Sequence, residues 1–108
     1  MTTNAQRGTA FEGKVREELE GEGWFVMRSA GSHGLVDLIA MKALASVPHP
    51  RVWLVQCKLY GVISGRDARA LKELAQGLNC APVLAYKVKP GGLIHFCIVD
   101  DRTRVCYP

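Results

Sequence analysis

Asp37, Gln56 and Lys58 are the residues of this chain whose types and spacing best suit chemistry. Each lies at the end of a short apolar run. Val36–Lys42 (V-D-L-I-A-M-K, with Asp37 at its mouth) and Arg51–Lys58 (R-V-W-L-V-Q-C-K) are rich in β-branched and large side chains and bounded by Gly, Ser and Pro, which predicts strands. Gln56 and Lys58 are spaced i, i+2, so a strand sets both on one face and turns Cys57 to the opposite, apolar face. If the two strands pair as a hairpin, a carboxylate, an amide and an ammonium converge at one sheet edge. That set suits phosphodiester hydrolysis, which needs an activated water, neutralised phosphoryl oxygens and a stabilised leaving alkoxide. A hard divalent cation such as Mg²⁺ meets all three needs, and it takes oxygen ligands from one or two carboxylates plus waters. Asp37 is the natural bridging ligand, with the Gln56 side-chain carbonyl and the Cys57 backbone carbonyl as neutral ones. Lys58 would orient or deprotonate the water and offset phosphate charge. The plainer alternative is an Asp37–Lys58 salt bridge with Gln56 hydrogen-bonded at a strand end, an arrangement that adds little stability.

Residues on either side extend the pattern. Gly31–Asp37 reads G-S-x-G-x-x-D, an apolar strand follows, and Gln56-Cys57-Lys58 gives Q-x-K on the next strand. Upstream, Arg7-Gly8-Thr9-Ala10-Phe11-Glu12 reads R-G-x-x-x-E. In this order the motifs resemble the PD-(D/E)XK nuclease superfamily, and most closely the small archaeal-type Holliday junction resolvases, over roughly residues 7 to 88. Gln56 is a departure, since that family usually has an acid there, although Q-x-K forms resemble Mrr-type restriction nucleases.

The resemblance implies a metal-dependent endonuclease acting on branched or four-way-junction DNA as a homodimer. Mg²⁺ is its cofactor, with Mn²⁺ able to substitute. It implies that Glu12 joins Asp37, Gln56 and the Cys57 carbonyl at the metal, and that Ser32 acts near the scissile phosphate beside Lys58. On helix geometry alone Glu12 reads as a surface acid, and Ser32 as an ordinary turn serine. His33 reads as a general base or, more simply, as an exposed loop histidine. DNA contacts would come from Arg7, Arg28, Ser32, His33, Arg66, Arg69 and Lys72, helped by the backbone amides of Gly31–Gly34.

The elements that must position these groups follow from periodicity. Residues 1–6 read as a frayed tail. A helix is expected from about Thr9 to Glu20, with Phe11, Val15 and Leu19 as its apolar stripe and Gly8 leaving room for close approach. Gly21 and Gly23 stop it. Trp24–Arg28 predicts a strand on the outer side of Asp37's strand. Ala43–Pro50 predicts a protruding loop with His49 exposed, because its prolines forbid a tight hairpin turn. Ser64 and Asp67 form an S-x-x-D start for a second helix, Gly65–Leu78. Ala68, Leu71, Leu74, Ala75 and Leu78 should face inward, and Arg66, Arg69 and Lys72 outward. Ala81–Lys87 and Leu93–Val99 predict the last two strands, with His95 structural. The order α-β-β-β-α-β-β gives an α/β fold. It is also the order of a restriction-endonuclease-like core, a mixed sheet of about five strands flanked by helices.

At 108 residues, 48% hydrophobic and 22% charged, the chain suits one globular nuclease-like domain over 1–108. No apolar run is long enough to span a bilayer and the start is not a signal peptide, which favours a cytoplasmic protein; a phage or prokaryotic source is what the resemblance implies. The four cysteines are scattered in apolar contexts and read as buried thiols. The net charge of +4 is uneven: residues 1–23 carry three basic and five acidic groups, residues 24–108 eleven and five. That distribution suits a phosphate-facing basic surface or an ordinary solvated one. Besides the junction nuclease, three readings stay open: a nuclease-fold DNA-binding protein that cuts weakly or not at all, a Mrr-like nuclease on duplex DNA, and an α/β interaction module. Apolar edges near Trp24, Tyr60 and Val105–Tyr107 are candidate dimer contacts.

Overall fold

The computed structural model describes residues 4–29 and 35–99, residues 4–7 by backbone alone. Helix α1 (Asn4–Gly21) is followed by strands β1 (Phe25–Arg28), β2 (Leu38–Lys42) and β3 (Arg51–Cys57). Helix α2 (Gly65–Gly77) then leads to β4 (Ala81–Lys87) and β5 (Ile94–Ile98). The five strands lie side by side in chain order. All pairs are antiparallel except β3/β4, which is parallel because α2 carries the chain back across the sheet. This is the mixed sheet with two helices that the sequence predicts.

Alternation along the strands gives the sheet two apolar faces. On one face Phe11, Val15 and Leu19 of α1 pack with Trp24, Val26, Leu38, Ala40, Val55, Val83 and Ala85. On the other, Ala68, Leu71 and Ala75 of α2 pack with Val36, Leu54, Ile63, Leu84, Cys97 and Val99. Both helices end on the same device. Gly23 adopts φ +94, its N–H donates to the Glu20 carbonyl (3.1 Å) and the Trp24 N–H to that of Leu19 (3.0 Å). These bonds satisfy end carbonyls and bring Trp24 onto Leu19 in the core. At the end of α2, Asn79 (φ 55) takes the left-handed place, with Asn79 N–H on Gln76 and Cys80 N–H on Ala75. The Ser64 side chain caps α2 by accepting from the Asp67 N–H at 3.1 Å, as expected.

Several expectations need correction. Helix α1 starts at Asn4 and not near Thr9, so residues 4–6 of the supposed tail are helical. Gly8 and Gly13 are tolerated inside the helix, and a Cβ on Gly8 would meet nothing within 4 Å, so no close approach depends on it. Leu74 and Leu78 are 40% and 61% exposed, because three of the five apolar positions of α2 suffice to cover β3 and β4. Trp24 is no exposed edge: it is buried, its ring 4.3 Å from that of Trp53, while Tyr60 is exposed. Val105–Tyr107 lie outside the described residues. Cys57 and Cys80 are free thiols, but Cys97 is disulfide-bonded, which apolar burial does not prevent. His49 is exposed, as predicted, and His95 stacks on Tyr86 at 5.3 Å. Among the described residues no helix is long and apolar enough to cross a membrane.

The glycines of α1 allow a paired test. A Cβ at Gly13 meets nothing within 4 Å, so Gly13→Ala should stabilise the fold by about 0.5–1 kcal/mol through helix propensity. At Gly23 a Cβ would also find space, its nearest neighbour being Lys42 Cε at 3.8 Å, but the left-handed φ makes Gly23→Ala cost about 1–2 kcal/mol. Urea denaturation of both variants measures the two signs.

Candidate active site

The strand order brings the candidate residues to one end of the sheet. β1 and β2 run antiparallel with Arg28 opposite Leu38, and β2 and β3 with Leu38 opposite Val55. The mouth of β2, the end of β1 and the end of β3 therefore meet. Asp37 stands at that meeting point, half-buried, one residue ahead of the strand proper.

Backbone bonds explain why. The Asp37 carbonyl accepts from the Ser29 N–H on the β1 side (2.9 Å), whereas its own N–H donates to the Val55 carbonyl on β3 (2.8 Å). In an extended residue both groups point to the same neighbour, so the chain turns at Asp37. That turn aims the side chain at β3, where Asp37 Oδ2 accepts from the Cys57 N–H at 2.8 Å. The Cys57 carbonyl, on the same side of its strand as that N–H, faces the Asp37 side too. Strand β3 ends at Cys57, and Lys58, half-buried, extends the ladder by one bond from its N–H to the Ala85 carbonyl (3.0 Å).

Gln56 is 0% exposed. Its register partner is Leu84, and Leu54 lies two residues back, so it points to the α2 side of the sheet. Cys57 packs on the α1 side, opposite Gln56 as alternation requires. Burial and the neighbouring charges of Asp37 and Glu12 push its thiol well above the usual range, so it is inert as a thiolate. Glu12 comes from α1, beside Phe11 and Val15. Its Oε1 lies 3.5 Å from Nε of Arg28, whose side chain is about half exposed.

The electrostatics are unfavourable for two bare carboxylates. Burial raises the Glu12 carboxyl, the Asp37 charge raises it further, and Arg28 only partly offsets them. Burial also raises Asp37, against the lowering effects of the Cys57 N–H, Lys58 and Arg28. A divalent cation at the two groups would relieve both. Among the described residues, no three His, Cys, Asp or Glu side chains gather to hold a metal. Two carboxylates with amide and backbone oxygens would make a donor set that fits an ion of the Mg²⁺ type, which keeps several waters. Ser32 and His33, with the Gly31–Gly34 amides, lie outside the described residues, as does the side chain of Arg7. Arg66 and Arg69 are exposed on α2 and Lys72 is half-buried. Because α2 starts where β3 finishes, Arg66 lies at the site end and Lys72 further back. The contact that sequence reasoning missed is Arg28 with Glu12, which depends on how α1 lies against β1 and not on the strand order.

The family model of archaeal Holliday junction resolvases (Hjc) matches residues 3–104. The chain belongs to this family. No curated protein matches it. Among solved structures it is similar to the Hjc of Archaeoglobus fulgidus, a Holliday junction resolvase from an archaeal hyperthermophile. The TM-score is 0.67 at 23% identity, over 86% of this chain and 73% of that one, a likeness of fold. The Hjc match spans the R-G-x-x-x-E, G-S-x-G-x-x-D and Q-x-K motifs together.

The raised carboxyls fix a sign for stability against pH. Both titrate at their ordinary values when unfolded and higher when folded, so the folded chain binds more protons in that window. Stability therefore falls as pH rises through it, and the full cost is present above the folded values. Asp37→Asn keeps an oxygen for the Cys57 N–H and removes the charge. The metal-free variant should melt a few degrees above the natural protein at pH 7, with the gain shrinking as pH falls from the raised folded value to the ordinary Asp range. Calorimetric melts across pH measure this; a variant that melts lower at pH 7 would count against the account.

Proposed function

We propose that this Hjc-family protein is a divalent-cation-dependent endonuclease that cuts four-way DNA junctions as a homodimer. The observation that carries the reading is the pair of carboxylates, Asp37 and Glu12, brought from a strand mouth and a helix to the end of β3 beside Lys58. Asp37 and Glu12 would hold Mg²⁺, or Mn²⁺ in its place, with the Cys57 carbonyl and the Gln56 amide oxygen as neutral donors. When bound, the cation lowers the pKa of the attacking water and offsets charge on the phosphoryl and leaving oxygens.

The chain's own residues do the rest. Asp37 is held in one orientation by the Cys57 N–H, so its second oxygen keeps a fixed direction. Lys58, an ammonium next to Asp37, orients the water and donates to the phosphate. Arg66 and Arg69 supply sequence-independent attraction to the DNA backbone, with Arg7, His33 and Ser32 as further contacts. Two subunits related by a two-fold axis would set two such sites on opposed strands, as symmetric nicking requires. Such a protein works on DNA inside the cell.

Gln56 favours a second reading, a protein that binds junctions without cutting them, because a neutral amide takes the place of the family's acid. Labelled four-way junction, flap and duplex DNA, each with Mg²⁺ or Mn²⁺ and with EDTA, separate the two. Paired nicks on the junction with metal alone are expected; binding without nicks would establish the second reading. Asp37→Ala should lower cleavage by orders of magnitude while junction binding persists, and Lys58→Ala should lose turnover but keep the metal. Light scattering should give a dimer mass.

A further inference from the structure

Arg28 is placed where a metal-dependent site would want a cation before its metal arrives. Its Nε lies 3.5 Å from Glu12 Oε1, and its charge also lowers the Asp37 carboxyl. The pair is lopsided: the Glu12 side chain is 22% exposed, that of Arg28 54%. Glu12 is fixed by a helix whose neighbouring Phe11 and Val15 are core residues, whereas Arg28 is the last residue of an edge strand with a long, half-solvated side chain. An ion pair exposed on one side adds little to stability, so it is a poor staple and an easy contact to exchange. We infer that Arg28 is an electrostatic stand-in for the metal: it neutralises Glu12 in the metal-free protein and is released towards a DNA phosphate when a divalent cation occupies the carboxylates.

The inference rests on the proposed metal site and adds a competition to it. Guanidinium and metal ion seek the same Glu12 oxygens, and a cation at Asp37 and Glu12 also repels Arg28. The freed guanidinium has five donors in a planar fork suited to phosphate. Arrival of the metal would therefore strengthen DNA binding through a residue that is not a metal ligand. By linkage, DNA would strengthen metal binding to the same extent.

Calorimetric titration of Mn²⁺ without DNA, into the natural protein, Arg28→Gln and Arg28→Lys, tests this. Removing the competing charge should tighten Mn²⁺ in Arg28→Gln by about three- to fivefold, the factor an exposed ion pair is worth, and leave Arg28→Lys close to the natural protein. Junction affinity supplies the second readout. Arg28→Gln should lose little affinity in EDTA, where Arg28 is engaged with Glu12, and several-fold in Ca²⁺, where it is free to reach phosphate. Unchanged or weaker Mn²⁺ binding by Arg28→Gln, or an equal loss of junction affinity in EDTA and Ca²⁺, would overturn the stand-in role. Absence of any Mn²⁺ binding by the natural protein would instead overturn the metal site of the proposed function, and this inference with it.

Discussion

One hydrogen bond, from the Cys57 N–H to Asp37 Oδ2 at 2.8 Å, ties the fold to the site. It exists because the chain turns at Asp37, sending the residue's carbonyl to the β1 side and its N–H to β3. The turn takes the backbone out of the ladder, and the carboxylate supplies the acceptor that the ladder no longer offers to Cys57. A buried N–H left without an acceptor would cost about 1–3 kcal/mol, so the side chain performs a backbone duty as well as any chemical one. The same bond favours the ionised carboxylate and works against the burial that disfavours it. A local break in regular strand structure thus orients an acid, keeps it usable and completes the pairing of β2 with β3.

Everything else serves to bring charges to that break. The parallel β3/β4 pair requires a crossover, and α2 supplies it, which sets the start of α2 at the end of the sheet where β3 stops. Arg66 follows to that end by connectivity alone. On the opposite face α1 lies across β1, β2 and β3 through Phe11, Val15 and Leu19, and Glu12 takes its place from Phe11. The acidic first 23 residues keep their other carboxylates on the mostly exposed side of α1, while the basic remainder of the chain carries the groups suited to phosphate. A single helix therefore contributes one acid to the site and holds the others away from it.

How far the sequence shows this depends on the range of each interaction. The strands, the Ser64 cap and the glycine stop were legible because alternation, side chain-to-backbone bonds and left-handed turns are decided within a few residues. The start of α1 was not, since Gly8 looks like a boundary and the helix nevertheless runs through it from Asn4. Leu74 and Leu78 misled for the opposite reason: they satisfy the helical period, but Leu78 is the C-cap, beyond the helix, and α2 buries only Ala68, Leu71 and Ala75. Asp37 was legible as a residue and illegible as a geometry, because the turn that aims it involves β1 and β3 together. The Arg28–Glu12 contact joins residues 16 positions apart on different elements, and no local pattern encodes it.

Gln56 shows how the fold shapes the chemistry available to it. Its side chain is fully enclosed, in register with Leu84 and on the same face as Leu54. An ionised carboxylate at such a position costs on the order of several kcal/mol unless a cation is always present to repay it. An amide keeps the oxygen without that penalty, and it adds no third negative charge to a pair of acids already disfavoured by burial and, at Glu12, by the charge of its neighbour. The negative charge of the site then resides on Asp37 and Glu12, the two groups that retain some access to solvent. A site built this way carries two partly buried charges instead of three, so less of its stability would depend on a bound cation. It should bind the ion less tightly than a three-acid site would, and gain most from a partner, protein side chain or DNA, that adjusts the charge around the two acids.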